Sequence, residues 1–205
     1  MKLRTRIGLF TTFAGLILWP GCWTYSVHPL SENDDQHLIY DPLLEGTWQT
    51  SDTDRSKIVI SGDSKAQQYT VTFIDLQEGS KHNENEPDIR FTARLVQLGA
   101  VRFLDTVPNG DAAGVGALPT HSIFKVFLTA DSLALVPLSD SWLCGTSEAE
   151  QAILGECSDG DFVLTAHTDV LQDFVRNHAD DEGVFPEPSE DDTWHRERKS
   201  KDPND

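Results

Sequence analysis

Histidines and cysteines are the residues of this chain with the most versatile chemistry, and there are seven of the first and three of the second. An imidazole can act as a base or bind a metal, whereas two thiols can form a disulfide in an oxidising compartment. The sequence contains no Gly-x-Ser-x-Gly elbow, no His-Glu-x-x-His motif, no glycine-rich phosphate loop and no Cys-x-x-Cys pair. We therefore expect a protein that is not an enzyme and has no cofactor or metal.

Two histidines have neighbours that can order them. His121 precedes a predicted strand and His167 precedes a predicted helix. They can meet across the sheet, although a histidine at such a position is more often a hydrogen-bonded structural or surface residue. Asp105 follows an apolar run in phase with Val101 and Phe103, and we interpret it as a surface residue at a strand end rather than as an inward-pointing carboxylate.

The first 22 residues are typical of an export signal. Basic residues at positions 2, 4 and 6 precede an apolar stretch from Ile7 to Leu18, and Gly21 and Cys22 follow. That stretch is shorter than the roughly 20 residues that an α-helix needs to cross a bilayer. The segment resembles a bacterial lipoprotein signal, with Leu18 to Cys22 as the lipobox, although Trp19 and Pro20 depart from its usual Leu and small residue.

The lipoprotein resemblance implies removal of residues 1–21 and lipidation of Cys22. The mature protein would be anchored in the cell envelope, on the extracytoplasmic face of a bacterial membrane. An ordinary cleaved signal with an unmodified Cys22 is the alternative. If Cys22 carries lipid, Cys144 and Cys157 remain as an even pair in an oxidising compartment, and we predict a disulfide between them rather than two free thiols.

The charge of the chain restricts its partners. With 34 acidic against 16 basic residues, the formal net charge is −18. Such a surface repels nucleic acid and anionic lipid headgroups, because too few cations are present to neutralise phosphates. We therefore expect no nucleic acid partner, and association with the membrane only through the lipid anchor.

Short β-type runs separated by turn residues fill the middle of the chain. In several of them apolar and polar residues alternate, as in a strand with one buried face, for example from Tyr69 to Phe73 and from Phe91 to Leu95. The predicted strands are the run at Trp48, Lys57 to Ser61, Tyr69 to Asp75, Phe91 to Gly99, Val101 to Thr106, Ser122 to Thr129, Leu133 to Leu138 and Phe162 to Ala166. Eight half-buried antiparallel strands predict a closed barrel or a sandwich.

Two helices interrupt this pattern. Ser147 and Glu150 have the spacing of a capping box, which predicts a short helix from Glu148 to Leu154 between late strands. Thr168 can cap a second, C-terminal helix with a shared apolar face. Asp159-Gly160-Asp161 lacks the further carboxylates of a calcium loop and indicates a turn.

The ends of the chain are polar and lack periodicity. We expect residues 22–42 to form a flexible tether, residues 43–179 to form the β-barrel domain and residues 180–205 to form a disordered acidic tail, in which Phe185 and Trp194 dock locally.

The triplet Gly46-Thr47-Trp48 at the first predicted barrel strand, followed by a meander of about eight strands and a late helix, resembles the lipocalins and the wider calycin group. The resemblance implies a barrel that binds a small apolar molecule in its mouth. It also implies that Trp48 closes one barrel end and packs against a late arginine. The last predicted strand, Phe162 to Ala166, has no arginine, and the family's Thr-Asp-x-x-Tyr motif is absent.

The expected function depends on how full the barrel is. Six large rings are expected inside it, which leaves little room for a ligand; they belong to Tyr69, Phe73, Phe91, Phe103, Phe124 and Phe162. The leading hypothesis is an anchored barrel lipoprotein that binds a small apolar ligand. The alternative is a filled barrel that serves interaction with, or assembly of, envelope proteins.

Overall fold

The computed structural model describes residues 24–33, 35–50, 56–75, 89–109, 120–158 and 160–197. Cys22 and the predicted signal 1–21 lie outside these ranges. The described chain is mainly β, with three short α-helices, α1 (Asp140–Cys144), α2 (Glu148–Leu154) and α3 (Thr168–Asn177). Its strands are β1 (Tyr25–Ser26), β2 (Leu38–Ile39), β3 (Gly46–Gln49), β4 (Ser56–Asp63), β5 (Gln68–Asp75), β6 (Ile89–Leu98), β7 (Val101–Pro108), β8 (His121–Leu128), β9 (Ser132–Pro137), β10 (Gly155–Ser158), β11 (Asp161–Leu164) and β12 (Thr193–Arg196).

Eight of these strands form a closed antiparallel barrel. Strands β3 to β9 pair in sequence order, and β12 lies between β9 and β3 and closes the ring. The predicted fold class, a mainly β protein with an antiparallel eight-stranded barrel, is confirmed. Seven of the eight barrel strands coincide with predicted strands to within a few residues, because alternation of apolar and polar residues marks them in the sequence.

The eighth strand is not the predicted one. The segment Phe162 to Ala166 contributes β11, which lies outside the barrel and pairs with β10 and, in parallel, with β1. Strand β12 takes its place, from the region expected to be a disordered tail. The sequence of β12 is Thr-Trp-His-Arg, between an acidic segment and a segment of mixed charge, and it lacks the apolar alternation by which the other strands were recognised.

The expectation of a disordered tail is also wrong for the other described residues of this segment, up to residue 197. Val184 and Phe185 are buried, and the Phe185 ring lies 5.4 Å from that of Phe103 on β7. Two adjacent apolar residues were enough to fix this segment against the barrel, despite its polar composition. Local docking of Phe185 and Trp194 was expected, but ordering of the segment around them was not.

The predicted tether is likewise packed from Thr24 onward. Strands β1 and β2 pair with β8 and β6, and Leu30 between them is fully buried. The backbone N–H of Leu30 donates to Asp105 Oδ2 at 2.9 Å. Residues 24–33 and 35–39, which we call the N-terminal arm, therefore lie along the outside of the barrel. Isolated buried residues in a polar sequence give no periodic signal, which explains why this arm was not predicted.

Alternate residues of the barrel strands enter two separate apolar clusters. The inner cluster fills the barrel and includes Trp48, Tyr69 and Phe124. The outer cluster lies between the barrel wall, the N-terminal arm and α3, and it holds Phe103 and Phe162. Four of the six rings expected inside are in the inner cluster, and the assignment of Phe103 and Phe162 to the interior was wrong because the outer wall is also covered.

Helix α2 has the predicted bounds, and both halves of the Ser147–Glu150 capping box are present. Helix α3 begins at Thr168, so its N-cap is His167, which makes no side-chain capping hydrogen bond. The expected capping by Thr168 is therefore wrong: its hydroxyl donates instead to the carbonyl oxygen of Pro29 at 2.8 Å. This contact ties α3 to the N-terminal arm.

Cys144, at the end of α1, and Cys157, in β10, form a disulfide with a Cα–Cα distance of 5.4 Å. The predicted pairing is therefore present in the structure. Both residues pack against the outer cluster. The disulfide fixes the small sheet extension formed by β10 and β11 next to α1.

Candidate functional site

One end of the barrel is closed by an arginine that stacks on a tryptophan. The guanidinium carbon of Arg196 lies 4.1 Å from the centre of the Trp48 ring, and the Trp48 side chain is fully buried. Arg196 also donates to the carbonyl oxygens of Leu43, Glu45 and Ala130, at 2.5, 2.7 and 2.7 Å. A guanidinium that both stacks and donates in a fork is well suited to hold several chain segments together.

The glycine of the Gly46-Thr47-Trp48 triplet is required by this closure. Gly46 has a φ of 141°, a backbone conformation that residues other than glycine rarely adopt. A Cβ atom at this position would lie 2.5 Å from Nη1 of Arg196. Gly46 therefore allows the arginine to approach the backbone before Trp48. The arginine that stacks on Trp48 comes from β12, in the segment that was expected to be disordered.

Tyr69 lies near the same end and anchors the turn before β3. Its hydroxyl accepts from the backbone N–H of Asp41 at 2.7 Å, and its ring stacks on that of Tyr40 with centroids 5.0 Å apart. Burial raises the pKa of Tyr69 to about 12. The hydrogen bond from Tyr40 to Glu45 raises the pKa of Tyr40 to about 12 as well. Both phenols are therefore neutral hydrogen-bonding groups at ordinary pH.

The opposite end of the barrel carries half-buried aromatic rings. Phe73 lies near the end of β5 and Phe91 near the start of β6, with their rings edge to face at 5.6 Å. Trp194 of β12 meets Phe73 in the same way at 6.2 Å. Ile89, beside them, is 54 % exposed. We call Phe73, Phe91 and Trp194 the aromatic mouth. Apolar surface that is partly accessible in a concave site can accept an apolar ligand.

A second site lies on the outside of the barrel. It is a cleft of about 940 Å³ between the barrel wall, the N-terminal arm and the first turns of α3. We call it the flank cleft. The barrel wall contributes Thr92, Arg94, Asp105, Val107 and His121. The arm contributes His28, Pro29, Glu32, Asn33 and Asp35, and α3 with its N-cap contributes His167, Thr168, Asp169 and Gln172.

The structure brings both predicted histidines to the flank cleft. Nδ1 of His121 lies 2.8 Å from Oδ1 of Asp105, and His167 packs against His28 with ring centroids 4.6 Å apart. Asp105 is only 4 % exposed, so its interpretation as a surface residue was wrong. It lies inside β7, because the strand continues to Pro108, and the arm covers the outer face there. Asp105 does share the phase of Phe103, but both side chains point out of the barrel, into a face that the arm covers.

Sequence reasoning missed Arg94 and His28 as residues of this cleft. Arg94 is an outward residue in an alternating strand, which is typical of a solvated position. His28 lies in the arm that was expected to be a tether. Both residues line the cleft only because the arm covers the barrel wall. No local pattern in either segment indicates that the arm and the wall are in contact.

Comparisons with family models, with curated proteins and with solved structures found no match to this chain. No helix among the described residues has the length and apolar character needed to cross a membrane. Within the same residues, no group of three or more histidine, cysteine, aspartate or glutamate side chains is arranged to hold a metal ion.

Proposed function

We propose that this chain is a lipid-anchored, extracytoplasmic barrel protein that binds a small apolar ligand at the aromatic mouth. The observation that carries the proposal is the asymmetry of the barrel. Arg196 and Trp48 close one end, whereas the rings of Phe73, Phe91 and Trp194 remain half-buried at the other. A barrel of eight strands is wide enough to hold one small ligand.

The disulfide and the N-terminal sequence support the location. Disulfides persist in oxidising compartments outside the cytoplasm, and the Cys144–Cys157 pair has the geometry of one. The order of basic residues, apolar stretch and Gly21-Cys22 is the order that lipoprotein processing requires. In the proposed protein the lipid on Cys22 supplies all membrane association, since the acidic surface repels anionic headgroups.

The proposed anchor is tested by changing Cys22 to Ser. The full chain is expressed in a bacterial host, and its distribution between membrane and soluble fractions is measured. We expect wild type in the membrane fraction and Cys22→Ser in the soluble one. A Cys22→Ser protein that stays in the membrane fraction contradicts the anchor, whatever the barrel binds.

The ligand site is tested with the uncharged fluorescent probe N-phenyl-1-naphthylamine, titrated into the purified full chain. We expect enhanced, blue-shifted emission and a higher melting temperature, because the probe binds only the folded state. Phe91→Asp, at the mouth, should weaken binding at least tenfold. The matched control is Leu43→Asp, which changes a half-exposed apolar residue before β3, at the closed end, and should leave binding unchanged.

The second candidate is a filled barrel that acts as a scaffold for envelope interaction or assembly. The packing below the mouth favours it, since large side chains such as Trp48 and Tyr69 are almost completely buried in the inner cluster. In that case the probe does not bind wild type. Equal binding by wild type and Phe91→Asp would instead place the probe elsewhere and contradict the aromatic mouth.

A further inference from the structure

The flank cleft has the dimensions of a small-molecule site. Its volume of about 940 Å³ falls within the range of roughly 300–1,000 Å³ that is usual for ligand pockets. Its walls come from three parts of the chain that are distant in sequence. Its floor is formed by the outer face of β6, β7 and β8, where Arg94 and Asp105 are direct partners in the ladder. The strands of a closed barrel supply a rigid base for these side chains.

Each oxygen of the two inner carboxylates of the cleft already has a hydrogen-bond partner within the protein. Oδ2 of Asp105 accepts from the Leu30 N–H at 2.9 Å, and Oδ1 lies 2.8 Å from Nδ1 of His121. The two oxygens of Asp35 accept from the His37 N–H at 2.9 Å and from Nε2 of Gln172 at 2.5 Å. A ligand therefore finds little free acceptor capacity at either carboxylate.

Among the described residues, the guanidinium of Arg94 has only uncharged hydrogen-bond acceptors. It donates to the carbonyl oxygen of Ser31 at 3.4 Å and to the side-chain oxygen of Asn33. In the part of the chain that the structure describes, no carboxylate oxygen lies within 4.0 Å of it. A half-buried arginine without an acidic partner is available for a charge-assisted, bidentate contact with an anion.

Three imidazoles line the same cleft as this guanidinium. Oδ1 of Asp105 favours the tautomer of His121 in which Nδ1–H is the donor, and this tautomer leaves Nε2 with a lone pair that can accept a hydrogen bond from a ligand. His28 and His167 form the stacked pair on the arm side and the α3 side of the cleft. The groups that remain for a ligand at the floor are thus a guanidinium and imidazoles, in a chain whose overall net charge is −18.

We propose that the flank cleft binds a small organic monoanion, with Arg94 as the contact to its anionic group and Nε2 of His121 as an acceptor for a hydrogen-bond donor elsewhere on the ligand. Asp105 is a positioning residue that fixes the tautomer and direction of His121. The exposed carboxylates of Glu32 and Asp169 at the rim repel polyanions. The cleft therefore favours a ligand that has one negative group and is otherwise uncharged. The anionic group is a carboxylate or a phosphodiester.

The test uses benzoate and diethyl phosphate as monoanionic probes, with benzamide as the uncharged match for benzoate. Binding to the purified full chain is measured by calorimetry and by shifts of the backbone amide resonances of β6 to β8. We expect at least one anion to bind and benzamide not to bind. Benzoate alone would identify a carboxylate ligand, whereas diethyl phosphate alone would identify a phosphodiester.

Variants then locate the site. Arg94→Gln should weaken anion binding at least tenfold, and Arg94→Lys should retain part of it. Arg90→Gln is the matched control, since it makes the same charge change on the same strand outside the cleft lining. Asp105→Asn should change the imidazole nitrogen resonances of His121, a signature of its tautomer that a loss of stability alone does not produce.

The proposal is overturned if neither anion binds at millimolar concentration, if benzamide binds as well as benzoate, or if Arg94→Gln binds as wild type does. Because N-phenyl-1-naphthylamine is uncharged, its binding at the aromatic mouth is independent of these outcomes. Failure of the flank cleft and failure of the aromatic mouth are therefore distinguishable in the same protein preparation.

Discussion

The inner and outer faces of β6, β7 and β8 consist of alternate residues from the same three segments, yet the part of the outer face that lines the flank cleft differs sharply from the interior. Inside the barrel, Ala93, Leu95 and Leu104 are fully buried among apolar side chains. Outside, Arg94 and Asp105 line a polar cleft. The difference shows that a strand in this protein serves two sites at once, and that the covering segments decide the character of the outer one.

The two faces also depend on different parts of the chain. The barrel interior depends on β12, which joins β3 to β9, whereas the flank cleft depends on the N-terminal arm and α3. A mutation that disrupts one face should therefore have a measurable effect that a mutation in the other face does not have.

The largest effect is expected from removing β12. A chain that ends at residue 189 leaves β3 and β9 without their shared neighbour and exposes Trp48. Since the whole stability of a domain is only about 5–15 kcal/mol, we expect loss of the cooperative thermal transition and increased binding of a hydrophobic dye. The control ends at residue 197 and should melt as wild type does. A cooperative transition in the shorter chain would show that the interior does not need β12.

The next largest effect is expected for Trp48→Ala. Removing a fully buried tryptophan creates a cavity that costs about 3–5 kcal/mol, and it also removes the stacking surface of Arg196. The comparison is Trp142→Ala in the outer cluster, where a half-buried ring should cost about 2 kcal/mol. Urea unfolding measures both. Equal losses would mean that the outer cluster is as tightly packed as the interior.

A third test concerns the disulfide on the outer side. The cysteines are 13 residues apart, and a loop of this size gains about 3 kcal/mol from cross-linking in the chain-entropy estimate. Replacing Cys144 and Cys157 with Ser should lower the free energy of unfolding by about that amount. Thiol counting in the denatured, unreduced Cys22→Ser protein checks the bond directly, and two reactive thiols would disprove it.

The smallest effect is expected for Tyr69→Phe. It removes the hydrogen bonds between Tyr69 and Asp41, at a cost of about 1 kcal/mol at neutral pH. The pKa of Tyr69 is raised to about 12 in the folded protein, so the unfolded chain loses its proton first as the pH increases. Wild-type stability should therefore fall between pH 10 and 12.

Urea unfolding at several alkaline pH values tests this dependence. The slope of stability against pH should be shallower in Tyr69→Phe than in wild type, with the remaining slope coming from Tyr40 and other groups. Tyr40→Phe is the companion variant, because the pKa of Tyr40 is also raised to about 12. Identical slopes for wild type and Tyr69→Phe would place the Tyr69 hydroxyl in water.

The barrel was predictable where each strand carries its own signal. The alternation around Phe91 and Phe124 reports a strand with one apolar face, and this information is local. The same rule put Asp105 in phase with Phe103, although it did not show that this phase faces outward. The burial of Asp105 did not follow from this rule, because burial depends on Leu30, which lies 75 residues earlier and meets it only in the folded chain.

The candidate sites were less predictable for the same reason. Arg196 and Trp48 are separated by most of the barrel, and a polar four-residue strand such as β12 gives no pattern that distinguishes it from a tail. The disulfide was predicted because it needs only two cysteines, a compartment and a short loop. Single long-range contacts, in contrast, leave no trace in periodicity or composition.

The position of β12 has a consequence for the order of folding. Its hydrogen bonds join segments about 150 residues apart, as in the bond from Arg196 to the carbonyl oxygen of Glu45. A chain emerging from a ribosome or a translocation pore therefore cannot complete the ring until residue 196 is free. Until then β3 and β9 keep open edges, which attract other strands. Closure of the ring therefore waits for β12, and until this strand pairs, β3 and β9 are open to non-native pairing.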